Sequence, residues 1–273
     1  MIKPEVGIHE NVPEAEYHSW EGASCSRLKL IERSPAHCKA SFSEGYDGTT
    51  ESKKKGSALH CAVLEPDSFS ARYHLFDGDR RYKEGKALWT QLLEITTEEY
   101  MLKKNEYSDV IGMKDAVYAH KAAAKLLENV DRTELSLAWK HDNVLCKGRI
   151  DGYSEKLKTI IDVKTTQDAS FFAFQWAINK YKYHWQAQHY TSGAKALGLE
   201  VENYAIIAIE NKAPFAVACY GLASEALEFG RHDLEEAIKK FGCCVMLDEW
   251  PAYGNEFEDI SLPKQILESK KYD

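Results

Sequence analysis

The chain has 273 residues, 44% hydrophobic and 29% charged, the balance of a globular protein that buries its own core without staples. Its 35 basic residues stand against 43 acidic ones, a formal charge of −8, which excludes a uniformly basic nucleic-acid binder and leaves only local basic patches for such a role. No apolar run approaches the roughly 20 residues needed to span a bilayer. The opening segment, MIKPEVGIHENVPEAEYHSW, is polar, so a cytoplasmic protein without membrane contact is expected.

In chain order, 24–33 carries Leu28, Leu30 and Ile31 at near-helical spacing behind Ser24, a favoured N-cap. Ser34-Pro35 ends that helix and opens the next. A third helix is predicted over 55–65 and closes at Pro66, and longer, partly charged helices cover 84–95 and 106–128. The period then changes. Leu135, Leu137 and Trp139 alternate with polar neighbours, which predicts a strand over 133–141. A second strand is read at 144–153, with Val144, Cys146, Gly148 and Ile150 on one face and Lys147, Arg149 and Asp151 on the other. A third spans 157–164, followed by helices at 168–179 and 184–197, strands at 203–210 and 215–221, and a helix at 223–240. This order predicts an α/β (α+β) fold, a central mixed sheet flanked by helices with a helical N-terminal part, in one domain over 1–273. The seven cysteines form no C-x-x-C pair and are read as small buried residues of a reducing compartment.

The chemistry concentrates at Asp151 and the run Ile160-Ile161-Asp162-Val163-Lys164. Along a strand, Asp162 and Lys164 share a face while Ile161 and Val163 pack the other way. A turn between antiparallel strands returns Asp151 to the same edge, so that two carboxylates and an ammonium converge. Such carboxylates repel unless a cation lies between them, which suits Mg²⁺ or Mn²⁺. Taken alone, the same residues also fit a strand-edge ion pair on a solvated face. Gly56 and His60 lie four apart on the third helix, where the glycine would allow close approach to the sheet and aim the imidazole at the site. Gln186 and Tyr190 share a face of a later helix, from which they could bond phosphate oxygens or the lysine, or simply pack that helix on the sheet.

The order G-x-x-x-H, D, I-D-V-K-T-T, Q-x-x-x-Y resembles the RecB-like branch of PD-(D/E)XK nucleases, and within it the RecE-type exodeoxyribonucleases. The stretches GSALHCAVLEPDSF at 56–69, IIDVKTT at 160–166 and YKYHWQAQHY at 181–190 carry most of that likeness. The resemblance implies a restriction-endonuclease-like core and a metal site of His60, Asp151 and Asp162 with the backbone carbonyl of Val163, holding two Mg²⁺ or Mn²⁺ ions. Lys164 would be the catalytic lysine, and Gln186 and Tyr190 would complete the site. One departure is visible: Ile150 stands where the family has proline before the first carboxylate. The implied activity is 5′→3′ digestion of linear double-stranded DNA, leaving 3′ tails for recombination by a RecT-like annealing protein. The implied assembly is a cyclic homo-oligomer, tetramer or trimer, and the implied origin a phage or prophage. An endonuclease, an iron–sulfur nuclease and an inactive DNA-binding module are the alternatives.

DNA contacts are expected from Lys53, Lys54 and Lys55 beside Gly56, and from Lys180 and Lys182 before Gln186. The N-caps at Ser24 and Ser34, with Arg27 and Arg33, form a candidate 5′-phosphate pocket beside their reading as ordinary caps. Tyr46, Tyr73, Phe76, Tyr82, Trp89 and Trp185 are the candidates for stacking on a DNA end.

Overall fold

The computed structural model describes residues 2–43 and 50–269, so Tyr46 lies outside the described residues. The N-terminal half runs β1 (Gly7–His9), α1 (Glu14–Ser19), α2 (Cys25–Arg33), α3 (Pro35–Ala40), α4 (Glu51–Leu64), α5 (Pro66–Arg72), β2 (His74–Phe76), α6 (Lys83–Leu93), β3 (Met101–Lys103), α7 (Lys104–Ala119) and α8 (Lys121–Leu127). It continues through β4 (Arg132–His141), β5 (Val144–Ser154), β6 (Thr159–Thr166), α9 (Phe171–Tyr181), α10 (Tyr183–Ala196), β7 (Asn203–Glu210), β8 (Val217–Gly221) and α11 (Ser224–Leu247). No helix among the described residues is long and apolar enough to cross a membrane.

Ser24 and Ser34 do cap α2 and α3, accepting from the backbone N–H groups of Arg27 and His37. Helix α4 starts earlier than its apolar pattern suggests, because Thr50 caps a first turn made of polar residues. The helix expected over 106–128 breaks at His120, whose imidazole accepts from Ala123 N–H and caps α8. Strand β6 is displaced two residues from its expected start because the turn before it runs on to Lys158, which adopts φ of 47°. Strand β1, of three residues, is too short to show an alternation in sequence.

The sheet has the order β1-β4-β5-β6-β7-β8, antiparallel throughout except β6–β7. That parallel pair is joined through α9 and α10, as a parallel pair requires a crossover. Alternation sorts the strands into two cores. Trp139, Cys146, Ile150, Ile160 and Ile206 face one cluster with Leu28, Phe174, Trp185, Leu234 and Phe241 from the helices. Ile161, Val163, Ile207 and Ile209 face the other, with Leu59, Val63, Phe69, Val110 and Met113. Helices therefore cover both faces, and β6 sits near the middle with Asp162 and Lys164 on the α10 side.

Two glycines seat α10. A Cβ on Gly148 of β5 would fall 2.9 Å from the Tyr190 ring, and one on Gly193 would fall 2.7 Å from the Trp139 indole. Each aromatic fills the space its glycine leaves, and this fixes the face that carries Gln186. The N-terminal segment is tied down by cations instead. The buried Lys147 ammonium donates to the carbonyls of Tyr17 and Trp20, both at 2.8 Å, and Arg149 donates to that of Val12 at 2.7 Å. Gly193→Ala should lower stability by about 1–3 kcal/mol, the cost of overpacking a filled core. The urea midpoint should fall with an unchanged slope; an unchanged midpoint would refute this seating of α10.

Candidate functional site

The site begins where two strands part. The β5–β6 ladder pairs Gly152 with Ile161, Tyr153 with Ile160 and Ser154 with Thr159, and ends there. The next inward-pointing amide, that of Val163, donates instead to Asp151 Oδ2 at 2.9 Å. A carboxylate thus occupies the place of a strand carbonyl, at the mouth of the gap between β5 and β6.

Two further ligand groups gather around it. His60 on α4 brings Nδ1 to 3.5 Å from Asp151 Oδ2. Glu134 on β4 joins them, and one ligand atom from each of His60, Glu134 and Asp151 lies within 4.8 Å of the others. Sequence reasoning missed Glu134. Its place depends on a φ of 49° at Glu134 itself, between the pairs Thr133–Gly152 and Leu135–Ile150. The signal was an acid on the polar side of the strand that pairs with Asp151. Burial and the nearby Asp151 push the Glu134 carboxyl up to about 7, against the opposing pull of His60 and Arg149.

Asp162 lies on the other side of the gap, 1% exposed. Lys164 Nζ donates to its Oδ1 at 2.6 Å and Gln186 Nε2 donates to the same oxygen at 2.9 Å. Burial raises the Asp162 carboxyl, Lys164 lowers it and Asp151 raises it again, leaving it above the ordinary range. For Lys164, burial acts downward, but Asp162 and Asp151 overcome it and hold the ammonium protonated. Asp162 Oδ2 is buried and accepts no hydrogen bond among the described residues, although Lys164 Nζ lies 2.6 Å away. The ammonium already compensates that oxygen, so the case for a cation rests on His60, Glu134 and Asp151, whose ligand atoms lie within 4.8 Å of one another. The donors are carboxylate oxygens with one imidazole, a hard set that fits Mg²⁺ or Mn²⁺. The residues present therefore fit a divalent metal.

The other expected residues divide. Tyr190 packs on Gly148 with its hydroxyl pKa pushed well up by burial, so its phenol stays neutral. Gln186 engages Asp162 rather than Lys164. Gly56 has open space where a Cβ would stand, so close approach to the sheet is not its role, contrary to expectation. Lys53 is exposed, Lys54 donates to the Glu98 carbonyl, and Lys55 is held by Asp109 at 2.9 Å. Lys180 is exposed; Lys182 pairs with Glu32 and stacks over Trp185 at 3.9 Å. Arg27 corrects the pocket expectation. It is 7% exposed and donates to the carbonyls of Trp20 and Gly22, because it anchors the N-terminal segment and presents no fork to a phosphate. Arg33 is exposed at the end of α2. Among the stacking candidates, Tyr73, Phe76 and Trp185 are core residues and cannot stack on DNA, whereas Tyr82 is exposed. Trp89 packs on Phe76 and under Arg80.

Residues 24–263 match the family described as a PDDEXK-like domain of unknown function (DUF3799), and the chain belongs to that family. No curated protein matches it in sequence. Among solved structures, a Eubacterium rectale protein described as a candidate exonuclease superposes with a TM-score of 0.60 at 10% identity, over 95% of this chain and 98% of its own, a likeness of fold. A phage-related exonuclease from Haemophilus somnus 129PT aligns over 84% of this chain and 97% of its own, at 14% identity and a TM-score of 0.36.

Mn²⁺ should raise the melting temperature progressively once it exceeds its dissociation constant, as any ligand of the folded state does. Asp151→Asn or Asp162→Asn should abolish that rise. A rise of the same size in both variants would remove these carboxylates from the metal site.

Proposed function

We propose that this PDDEXK-like chain is a Mg²⁺-dependent exodeoxyribonuclease that degrades linear double-stranded DNA in the 5′→3′ direction, with residues 1–273 acting as one nuclease domain. The observation that carries the reading is the parted β5–β6 pair, which sets Asp151 and Asp162 on either side of one gap with Lys164 bound to the second. Asp151, Asp162 and the Val163 carbonyl would hold the metal, with His60 beside Asp151 and Glu134 completing the donor set. Bound there, the metal supplies Lewis acidity for a phosphate and an acidified water.

The chain's own groups do the rest. Lys164, kept protonated by Asp162, carries a fixed positive charge against the charge that builds on the phosphate. Gln186 holds Asp162 through Oδ1, while the Lys164 ammonium lies against both of its oxygens. Tyr190, neutral and wedged on Gly148, keeps α10 in place and offers its hydroxyl as a hydrogen-bond donor. Lys53 and Lys180 are the exposed cations best placed in sequence to meet phosphates. A ring of three or four copies would gather such scattered cations into one channel. The 3′ tails left behind would pass to a RecT-like annealing protein, in the cytoplasm of a host carrying this chain on a phage or prophage.

End-labelled linear duplex and a covalently closed circle, incubated with Mg²⁺, test the reading. The linear DNA should be degraded from its 5′ ends and the circle should survive. A cut circle would make the protein an endonuclease instead. Asp162→Ala and Lys164→Ala should each slow digestion at least about a hundredfold, the scale of losing one electrostatic stabiliser. Near wild-type rates would take these residues out of the reaction.

A further inference from the structure

Helix α9 begins after the four residues that follow Thr166 of β6 and is aromatic on both of its sides. One side is core: Phe174 is 1% exposed and stacks on Tyr220, with ring centroids 5.1 Å apart. The other side projects into solvent, apart from Phe171, whose ring centroid lies 6.2 Å from that of Tyr220. Phe172 and Trp176 are 76% and 75% exposed, and Phe171 beside them 57%. Phe172, Trp176 and Lys180 recur every four residues, so they form one stripe, with the exposed amides of Gln175 and Asn179 alongside. The solvent face of α9 carries no acid at all, in a chain of net charge −8. Folding does not need these rings, because the helix already buries Phe174 and packs Ala177 and Ile178.

The stripe also leads somewhere. Lys180 Nζ sits 5.1 Å over the Tyr181 ring. Tyr181 stacks on Tyr183 at 5.6 Å and 28° between planes. The Tyr183 ring in turn faces Lys164 Nζ at 5.4 Å and Lys29 Nζ at 6.0 Å. Lys180 and Lys29 enter no ion pair among the described residues. Lys180, Tyr181 and Tyr183 thus link the C-terminal end of α9 to the lysine of the site. Glu225 and Phe229 of α11 border the far side of the stripe.

We propose that the outer face of α9 is a binding track for an unpaired DNA strand, with bases stacking on Phe172 and Trp176 and the backbone passing Lys180 on its way to the site. The composition matches that ligand: a base has an apolar face that stacks on any aromatic ring, and the phosphates between bases would pass Lys180 on a helix face that carries no acid of its own, with Glu225 of α11 at its edge. This rests on the nuclease reading, to which it adds the substrate's single-stranded portion, and it names a place that the six stacking candidates drawn from the sequence did not include.

The test reads binding rather than cleavage, so it succeeds or fails independently of the nuclease reading. Fluorescein-labelled dT12 is titrated into the protein in Ca²⁺, and fluorescence anisotropy gives the affinity. Wild type should bind, and Phe172→Ala and Trp176→Ala should each weaken binding about fivefold or more, the loss expected for one stacked base. Trp176→Phe should restore most of it. An abasic dodecamer with the same phosphates should bind wild type as weakly as dT12 binds the double alanine variant. Both alanine variants remove exposed side chains, and an unchanged melting temperature verifies their fold. Unchanged dT12 affinity in both variants would overturn the proposal, as would equal affinity for the abasic and dT12 strands. A drop in molar mass by light scattering without loss of dT12 affinity would also overturn it and make the stripe a contact between protein chains. If the track binds as described while duplex ends remain undigested, the nuclease reading fails and the track stands.

Discussion

A single hydrogen bond organises the centre of this protein: the Val163 amide donates to the Asp151 carboxylate where the geometry of a sheet calls for a strand carbonyl. Interior strands normally satisfy every amide through their neighbours. Here β5 withdraws from β6 after three paired positions, and a side chain takes over the acceptor role. The amide stays satisfied, the strands open, and the gap between them is flanked by Asp151 of β5 and Asp162 of β6. Hydrogen bonding across the rest of the sheet keeps the gap from closing. On its far side β6 remains in full parallel register with β7 from Thr159–Asn203 to Thr166–Glu210.

The electrostatics follow from that opening. Asp162 is almost fully buried, and an isolated carboxylate there would be neutralised by protonation. Lys164, two residues along the same face, supplies the opposing charge at 2.6 Å. Asp151 then works against Asp162 and with Lys164, so that the pair is balanced only in part. Such a buried pair contributes little to stability after desolvation. Its worth lies in keeping an ammonium and a carboxylate side by side, in a geometry that Gln186 fixes from α10. The reciprocal packing of Gly148 with Tyr190 and Gly193 with Trp139 fixes α10 in turn. The chain from core packing to charge placement is therefore short: two glycines, two aromatics, one amide side chain.

Alternation made much of this legible in the sequence. It placed Asp162 and Lys164 on one face of a strand and Ile161 and Val163 on the other, and the two cores bear this out. The i, i+4 spacing of Gln186 and Tyr190 likewise put both on one face of α10, which meets Asp162 and Gly148 of the sheet. What escaped depends on register and on distant carbonyls. Glu134 enters the cluster through its own left-handed backbone in β4, and only its place on the polar side of that strand marks it. Arg27 looked like a free fork beside a helix cap, but the carbonyls of Trp20 and Gly22 absorb it once the N-terminal segment folds over β5. Lys55 similarly meets Asp109 of α7, a partner 54 residues away. Gly56 invited a close-packing role, and the space beside it is open. Tertiary neighbours, rather than local pattern, decide each of these.

The central claim is that the gap between β5 and β6 is a metal site built from both strands. Anomalous diffraction from crystals soaked in Mn²⁺ tests it most directly. The account predicts a manganese peak in that gap, in contact with carboxylate oxygens of both Asp151 and Asp162. A peak bound by only one of the two carboxylates, or a gap that stays empty at saturating Mn²⁺ while Asp151 keeps the Val163 amide, would contradict it.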